Sequence, residues 1–275
     1  MSVKHSVEAG GDASIVTGER STLRVVAMPT EHGGWSLTLE PVVLGLLVAW
    51  SWPGVALGAA AMLAFLARTP LKLVLVDRWR GRWLPRTSLA ARVAIVELLG
   101  LAVLVTFSAL GAGGPFWLPL LAATPFFAME LWFDMRSRGR RLLPELAGTF
   151  GIGSVAAAIA LADGAPTVMA LGLWVVVAAR AAAAIPYART QVFRARGRRH
   201  HLRHSDVAQC LAVVAVALGW WGQAVPLLSA LAVLAVATFN VGAVRAAPRP
   251  AKVIGLQQMC FGIAIVVVTA IAVLR

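Results

Sequence analysis

Three basic residues inside long apolar segments are the first candidates for chemistry in this sequence. Arg68 and Lys72 lie in one segment and Arg180 lies in another; the arginines stand nine residues before Asp77 and Arg189, the polar ends of those segments. Nine residues of helix are about 13 Å long, so both arginines are predicted near the middle of a bilayer. A charge at that depth is costly unless a partner or a ligand neutralises it. Two cations on one helix face predict an anion, and a guanidinium suits phosphate well.

These cations also have a structural interpretation. A long side chain can lift its charged group towards the interface, which is the simpler explanation for Lys72. The matched depth of two arginines in two segments favours an anion site instead. Tyr187 lies seven residues after Arg180 and therefore on the same helix face. Three carboxylates are predicted to be intramembrane partners of the cations: Glu40, Glu97 and Glu130.

The stretch "PTEHGGW", residues 29–35, places several reactive types at the start of the first apolar segment. Glu31 and His32 could transfer protons, because an imidazole titrates near neutral pH and a neighbouring carboxylate can orient it. Gly33 allows a close approach of backbone to a ligand, and Trp35 can stack or anchor at the interface. The alternative is a hinge with a solvated Glu–His pair and an interfacial tryptophan.

Several acidic residues fall near those ends of the apolar segments that adjoin basic loops: Glu31, Asp77, Asp134 and Glu145. A site facing the basic loops could gather them, and Asp77 and Glu145 are the candidates for catalysis and ligand binding respectively. The alternative is ordinary pairing with neighbouring arginines, and this alternative is favoured for Asp134.

Composition predicts a polytopic membrane protein. Of the 275 residues 59% are hydrophobic and only 13% are charged, which is too few to cover a soluble domain. Continuous apolar runs indicate helices rather than strands, so the fold class is all-α, a transmembrane helical bundle in residues 29–275 after a flexible cytoplasmic tail in residues 1–28. We predict nine spans, approximately at residues 34–51, 54–77, 89–110, 115–134, 143–162, 166–188, 206–221, 224–243 and 254–274.

The distribution of basic residues predicts the orientation. The net charge is +13, and the basic residues cluster after the second, fourth, sixth and eighth spans. By the positive-inside rule these loops and the N-terminus are cytoplasmic and the C-terminus is outside. The excess charge is therefore an orientation signal and a contact for anionic lipids, not a nucleic-acid surface. The predicted location is the cell membrane, with multiple passes.

Four short motifs resemble the YwiC-like membrane proteins: "EHGGW", "RTP", "LPELAG" and "R…IPYAR". More distantly, nine spans with polar second and sixth helices resemble the UbiA superfamily of intramembrane prenyltransferases. That resemblance implies a UbiA-like bundle with "PTEHGGW" near the mouth of a central cavity. It implies catalytic roles for Glu31, His32 and Asp77, and contacts to a substrate from Gly33, Trp35, Arg68, Lys72, Glu145, Arg180, Tyr187 and Arg189.

The departures from the prenyltransferase pattern concern its metal-binding aspartates. Only Asp77 remains of the first aspartate-rich motif, and of the second motif Tyr187 remains while Gln191 and Ala195 occupy acidic positions. Magnesium would neutralise a diphosphate, so Asp77 is a weak metal candidate and magnesium is a cofactor that the sequence supports poorly. The cations could instead grip a phosphate directly.

The sequence thus leaves several functions open. The first is a cytoplasm-facing polar cavity that binds a prenyl or lipid-linked phosphate, with a divergent prenyltransferase as its enzymatic form. The second is a carrier or flippase for a phosphorylated lipid or a small anion, since cations and prolines within helices suit alternating access. The third is a non-catalytic subunit of a membrane complex.

Overall fold

The computed structural model describes residues 26, 28 and 32–275, and this part of the chain is all-α. The predicted tail lies almost wholly outside the described residues, as does Glu31. Within residues 32–275 nine helices follow one another: α1 His32–Val48, α2 Trp52–Trp79, α3 Pro85–Gly111, α4 Trp117–Met135, α5 Leu142–Ala162, α6 Thr167–Ala195, α7 Leu202–Trp221, α8 Leu227–Ala243 and α9 Ala251–Leu274. Each predicted span corresponds to one helix, so the prediction of an all-α bundle is confirmed for the described residues.

Six of these helices are long and apolar enough to cross a membrane, while α1 and α8 are apolar but shorter at 17 residues each. The chain is therefore a multi-pass membrane protein. Helix α6 was predicted to end at residue 188 but continues to Ala195. The reason is that no helix-breaking residue follows Pro186 until Gly197, whose φ of +61° is left-handed.

Hydrogen bonds bring the basic connections between helices to one end of the bundle. Arg80 donates to the Ser137 hydroxyl over 2.9 Å, and Arg189 donates to the carbonyl of Arg140 over 3.0 Å. Arg194 donates to the carbonyl of Ala246 over 2.9 Å. The charge asymmetry read from the sequence is thus an asymmetry of the folded bundle; that the basic end faces the cytoplasm stays a prediction.

Helix α5 forms the centre of the bundle and α3 its edge. The α5 run Ala156–Ala160 is fully buried, because small side chains let neighbouring helices approach closely. Gly45 of α1 shows this closeness, since a Cβ there would lie 2.8 Å from Ile159. In contrast, α3 exposes large apolar side chains such as Val96 and Val103, as expected of a lipid-facing helix.

Candidate ligand-binding cavity

A cavity of about 580 Å³ lies among helices α1 to α6. Most of its wall is apolar: Leu37, Ala64, Phe65, Leu71, Leu98, Leu101, Phe127, Leu131, Ile152 and Ile185. Its polar groups come from five helices or connections: Thr38, Arg68, Glu130, Arg140, Glu145 and Thr149. An apolar cavity with a few converging polar groups is the usual form of a small-molecule site.

The first turn of α1 brings the "HGGW" stretch to this cavity. Gly33 and Gly34 line the wall, and a Cβ on Gly34 would lie 2.7 Å from the ring of Phe65. Trp35 packs edge-on against the same ring, with centroids 5.1 Å apart. Trp35 therefore supports a side chain of the wall. His32 is the first residue of α1, and its side chain lies outside the described part of the chain.

Arg68 and Lys72 share one face of α2, as predicted, and both bind carboxylates of α4. Arg68 Nη1 lies 2.9 Å from Glu130 Oε1, and Arg68 Nε lies 2.9 Å from Asp134 Oδ2. Lys72 Nζ lies 2.8 Å from Asp134 Oδ1 without the angles of a hydrogen bond, so this contact is electrostatic. The predicted roles of Glu130 as an intramembrane partner and of Asp134 as a paired residue are confirmed. Two cations and two carboxylates form a cluster without formal net charge.

Two glycines make room for these carboxylates. A Cβ on Gly148 of α5 would overlap the Glu130 carboxylate, and a Cβ on Gly139 would overlap that of Asp134. Gly148 closes the "LPELAG" motif, so the motif's last residue is required by the approach of α4 to α5. The local sequence therefore sets how closely the charged cluster packs beside the cavity.

Glu145 and Arg189 meet at the cavity's polar end. Arg189 Nη1 lies 2.7 Å from Glu145 Oε2, and the same nitrogen donates to the carbonyl of Arg140. The Arg189 guanidinium also stacks over Phe193, with Cζ 5.6 Å from the ring centroid. Both charged side chains are about 30% exposed, which leaves the pair accessible to a competing ion.

Arg180 lies away from this cavity, in the interior between α1, α6 and α9. Its Nε is 2.9 Å from Glu40 Oε2, and its Nη2 donates to the carbonyl of Gln258. Ser36 donates to the second carboxylate oxygen over 2.8 Å, and the prediction that Glu40 partners a buried cation is confirmed. The structure thus places Arg68 and Arg180 in separate environments rather than around one anion.

A chain of buried amides continues from Arg180, and the sequence analysis missed it. Gln258 Nε2 donates to Asn240 Oδ1 over 3.1 Å, and Asn240 Nδ2 donates to Gln209 Oε1 over 3.4 Å. The signal in the sequence was a polar residue in each of three apolar segments. Phe65 and Arg140 were also missed, because an apolar segment or a basic loop gives no reason to single them out.

Two further predicted site residues, Tyr187 and Asp77, make hydrogen bonds that stabilise the fold. Tyr187 is fully buried beside Val244 and Ile254, and its hydroxyl accepts a 3.4 Å hydrogen bond from Gln191. Asp77 closes the connection between α2 and α3, accepting from the Thr87 hydroxyl over 2.7 Å and from Arg86 over 3.4 Å. The third predicted carboxylate partner, Glu97, has one buried oxygen without a hydrogen-bond partner among the described residues.

Magnesium does not fit the donors around Asp77. Both of its oxygens already accept hydrogen bonds. Within residues 32–275 there is no group of three or more histidine, cysteine or acidic side chains that could hold a metal ion. Magnesium needs several oxygen ligands in octahedral geometry, so Asp77 alone is an inadequate site.

These features define a multi-pass helical membrane protein with a ligand-sized cavity among its first six helices. Residues 28–160 match the model of the family described as YwiC-like protein. The matched segment contains "EHGGW", "RTP" and "LPELAG", and the family predicted from these motifs is confirmed over it. Comparisons with curated proteins and with solved structures found no match. The resemblance to the UbiA superfamily stays a prediction.

Proposed function

We propose that the cavity binds an amphiphile with a prenyl or other long apolar chain and a phosphate head group. The observation that carries the proposal is one cavity with a predominantly apolar wall and four charged side chains: the cations Arg68 and Arg140 and the carboxylates Glu130 and Glu145. Its volume of about 580 Å³ lies within the range of small-molecule sites, roughly 300–1,000 Å³. The apolar wall would take the chain, and the charged end, towards the predicted cytoplasmic side, would take the phosphate.

The phosphate would bind by partner exchange. Arg68 already binds Glu130 and Asp134, so an incoming phosphate would compete with Glu130 for the guanidinium. Such exchange is feasible at Arg68, because its side chain is 26% exposed, whereas the fully buried Asp134 stays paired with Lys72. Discrimination then depends on the ligand carrying both a charged head and an apolar chain.

A prenyl-transfer reaction is the enzymatic form of this proposal. Glu31 and His32 directly precede Gly33 in the sequence, and Gly33 lines the cavity; this proximity in the chain supports them as the proton-transfer groups of such a reaction. Because the residues around Asp77 do not fit magnesium, no metal-assisted step is assigned to this protein. Arginines would stabilise the phosphate charge directly.

A carrier or flippase is the second candidate. Pro70 lies two residues from Arg68 in α2, and Pro186 lies in α6 close to Ile185, which lines the cavity. A proline inside a helix removes one hydrogen bond and permits bending next to the site. Transfer of a labelled prenyl phosphate between the leaflets of protein-containing liposomes would favour this candidate over a fixed binding site.

Co-purified lipids provide the test of the binding proposal. The two variants Leu98→Trp and Arg68→Gln would be compared with the wild type by native mass spectrometry. Leu98 lines the cavity, whereas its neighbour Leu99 is also exposed but does not line it, so Leu99→Trp is a matched control. Arg78 lies with Arg68 on α2 but is exposed at the end of that helix, so Arg78→Gln is the control for the loss of a charge.

We expect a polyprenyl phosphate or another lipid-linked phosphate with the wild type and with both controls. It should be reduced in Leu98→Trp, because the larger indole obstructs the cavity, and in Arg68→Gln, because the guanidinium is gone. A wild type that carries only bulk phospholipid, unchanged in both cavity variants, would contradict the proposal and favour a non-catalytic subunit.

A further inference from the structure

A second cavity of about 270 Å³ lies where the end of α6 meets the start of α7. Its basic side chains are Arg189 on α6, Arg199 and His200 in the connection, and His201 and His204 at the start of α7. None of the described residues that line it is acidic. Basic side chains from two helices and a connection around one concavity are typical of an anion site.

The connection between α6 and α7 builds this cavity. Gly197 has a φ of +61°, which ends α6 and lets the chain return towards Arg189. His200 Nδ1 lies 3.0 Å from the carbonyl oxygen of Arg198, and the rings of His201 and His204 pack edge-on with centroids 5.7 Å apart. These contacts hold the imidazoles in defined positions beside the two arginines.

The start of α7 adds a second source of positive potential. His201 is the N-cap residue of α7, and its side chain makes no capping hydrogen bond. The N–H groups of the first turn therefore have no side-chain acceptor from the cap residue. Such groups, together with the helix dipole, favour an anion at the N-terminus of a helix.

The nearby carboxylates are already bound to arginines. Asp206 accepts two hydrogen bonds from Arg245, at 2.8 and 3.0 Å, and thus points its charge at α8's end. Glu145 binds Arg189 over 2.7 Å from the side of the first cavity. Neither carboxylate lines the second cavity, so an anion there would meet a predominantly positive surface.

The geometry points to a second phosphate-binding site in this cavity, for inorganic phosphate or for the phosphate of a lipid head group at the basic end of the bundle. Phosphate matches the donor set, because guanidinium groups and imidazole N–H groups can donate to several of its oxygens at once. The site is separate from the first cavity and does not depend on the function proposed for it.

The ion pair between Glu145 and Arg189 links the two sites. Glu145 lines the first cavity, and its ion-pair partner Arg189 lines the second. An anion in the second cavity competes with Glu145 for Arg189, so its binding would release Glu145 towards the first cavity. A released Glu145 carboxylate would repel a phosphate in the first cavity, so by reciprocity a phosphate in either site would weaken binding at the other.

Inorganic phosphate binding would be measured by phosphorus NMR with the full chain in a maltoside detergent, which contains no phosphorus. Arg199→Gln should weaken binding roughly three- to tenfold, as expected for loss of one exposed charge-assisted hydrogen bond. Arg196→Gln is the matched control, since Arg196 is exposed in the same connection but does not line the cavity. It should change the affinity by less than about twofold.

A second arm tests the source of the phosphate and the link between the cavities. The protein would be placed in phosphatidylcholine nanodiscs containing phosphatidic acid, and retained lipids would be quantified by mass spectrometry. Glu145→Gln should strengthen phosphate binding, because it removes the competitor for Arg189. Leu98→Trp, which obstructs the first cavity, should leave phosphate binding at the second site unchanged, so failure of one site is distinguishable from failure of the other.

Saturable binding of inorganic phosphate that depends on Arg199 but not on Arg196 would establish a site for free phosphate. Retention of phosphatidic acid with the same dependence, without binding of inorganic phosphate, would establish a site for a lipid head group. Equal losses in Arg196→Gln and Arg199→Gln, or no binding in either arm, would overturn the proposal in favour of diffuse surface charge.

Discussion

Two arginines within apolar helices, Arg68 and Arg180, lie in opposite kinds of surroundings. Arg68 contacts a cavity, binds two carboxylates and is 26% exposed. Arg180 is 5% exposed, binds the equally buried Glu40 and donates to the carbonyl of Gln258. The same feature in the sequence therefore produces an ion pair beside a cavity, which a ligand can displace, and an ion pair in the interior, which holds three helices together.

The difference lies in what happens when a partner is lost. Beside a cavity, water or a ligand can solvate the remaining charge, so partner exchange costs little. In the interior nothing can solvate it, and the whole desolvation cost falls on the folded state. We therefore assign ligand binding to the cluster at Arg68 and structural stabilisation to the pair of Arg180 with Glu40.

The largest effect is expected from breaking the interior pair. Glu40→Leu leaves the Arg180 charge buried and should lower the free energy of unfolding by about 3–5 kcal/mol. Thermal unfolding of the detergent-solubilised protein would measure this loss. The double variant Glu40→Leu with Arg180→Met removes both charges and should recover most of it. A double variant as unstable as the single one would show that the pair is not the cause.

A smaller effect is expected from the glycines that face the carboxylates. A Cβ on Gly262 of α9 would overlap Glu40, and one on Gly148 would overlap Glu130. Gly262→Ala should cost about 1–3 kcal/mol, as overpacking of a tight interior does. Gly148→Ala should cost less, because Glu130 can move into the adjacent cavity.

Thermal unfolding of both variants would test this order. Gly255→Ala is the control on α9, because a Cβ there meets no atom within 4 Å. It should be neutral or slightly stabilising, since alanine favours the helical state over glycine. If Gly148→Ala proved as costly as Gly262→Ala, the contrast between a yielding and a rigid surrounding would be wrong.

The smallest effect is expected from the exposed pair of Arg245 with Asp206. The contact is a two-pronged one at 2.8 and 3.0 Å, and Asp206 raises the pKa of the Arg245 guanidinium above its usual value. Because the arginine is about half exposed, solvent screens the pair. Arg245→Gln should leave the unfolding temperature unchanged within error. A clear decrease would mean that this exposed ion pair stabilises the fold in spite of solvent screening.

Several members of the charged clusters could be predicted from single segments of the sequence. The spacing of Arg68 and Lys72 predicted a common face, and the acidic residues inside apolar segments predicted Glu40 and Glu130 as partners. The assignment of partners could not be predicted, because Glu40 lies on α1 and Arg180 on α6, and no local rule selects one carboxylate from three. The grouping of Arg68 with Arg180 around one anion failed for that reason.

The place of "EHGGW" depended on packing in the same way. Its glycines indicated a close approach of backbone to something, but only the position of Phe65 on α2 shows what Gly34 and Trp35 contact. Asp77 and Tyr187 were singled out by their resemblance to a motif. In the structure Asp77 accepts a hydrogen bond from Thr87 and stabilises a helix connection, while Tyr187 accepts one from Gln191 and packs in the core.

The local sequence was sufficient to predict the class, the number of helices in residues 32–275 and the end of the bundle at which positive charge gathers. These follow from local quantities: the length of an apolar run, the cost of charge in a bilayer and the breaks at glycine, proline and arginine. Three-dimensional packing was needed to establish which carboxylate neutralises which cation, where the cavities lie and which arginine borders them. Those outcomes depend on how closely small-residue faces let particular helices approach, and that distance is a property of pairs of helices rather than of any one segment.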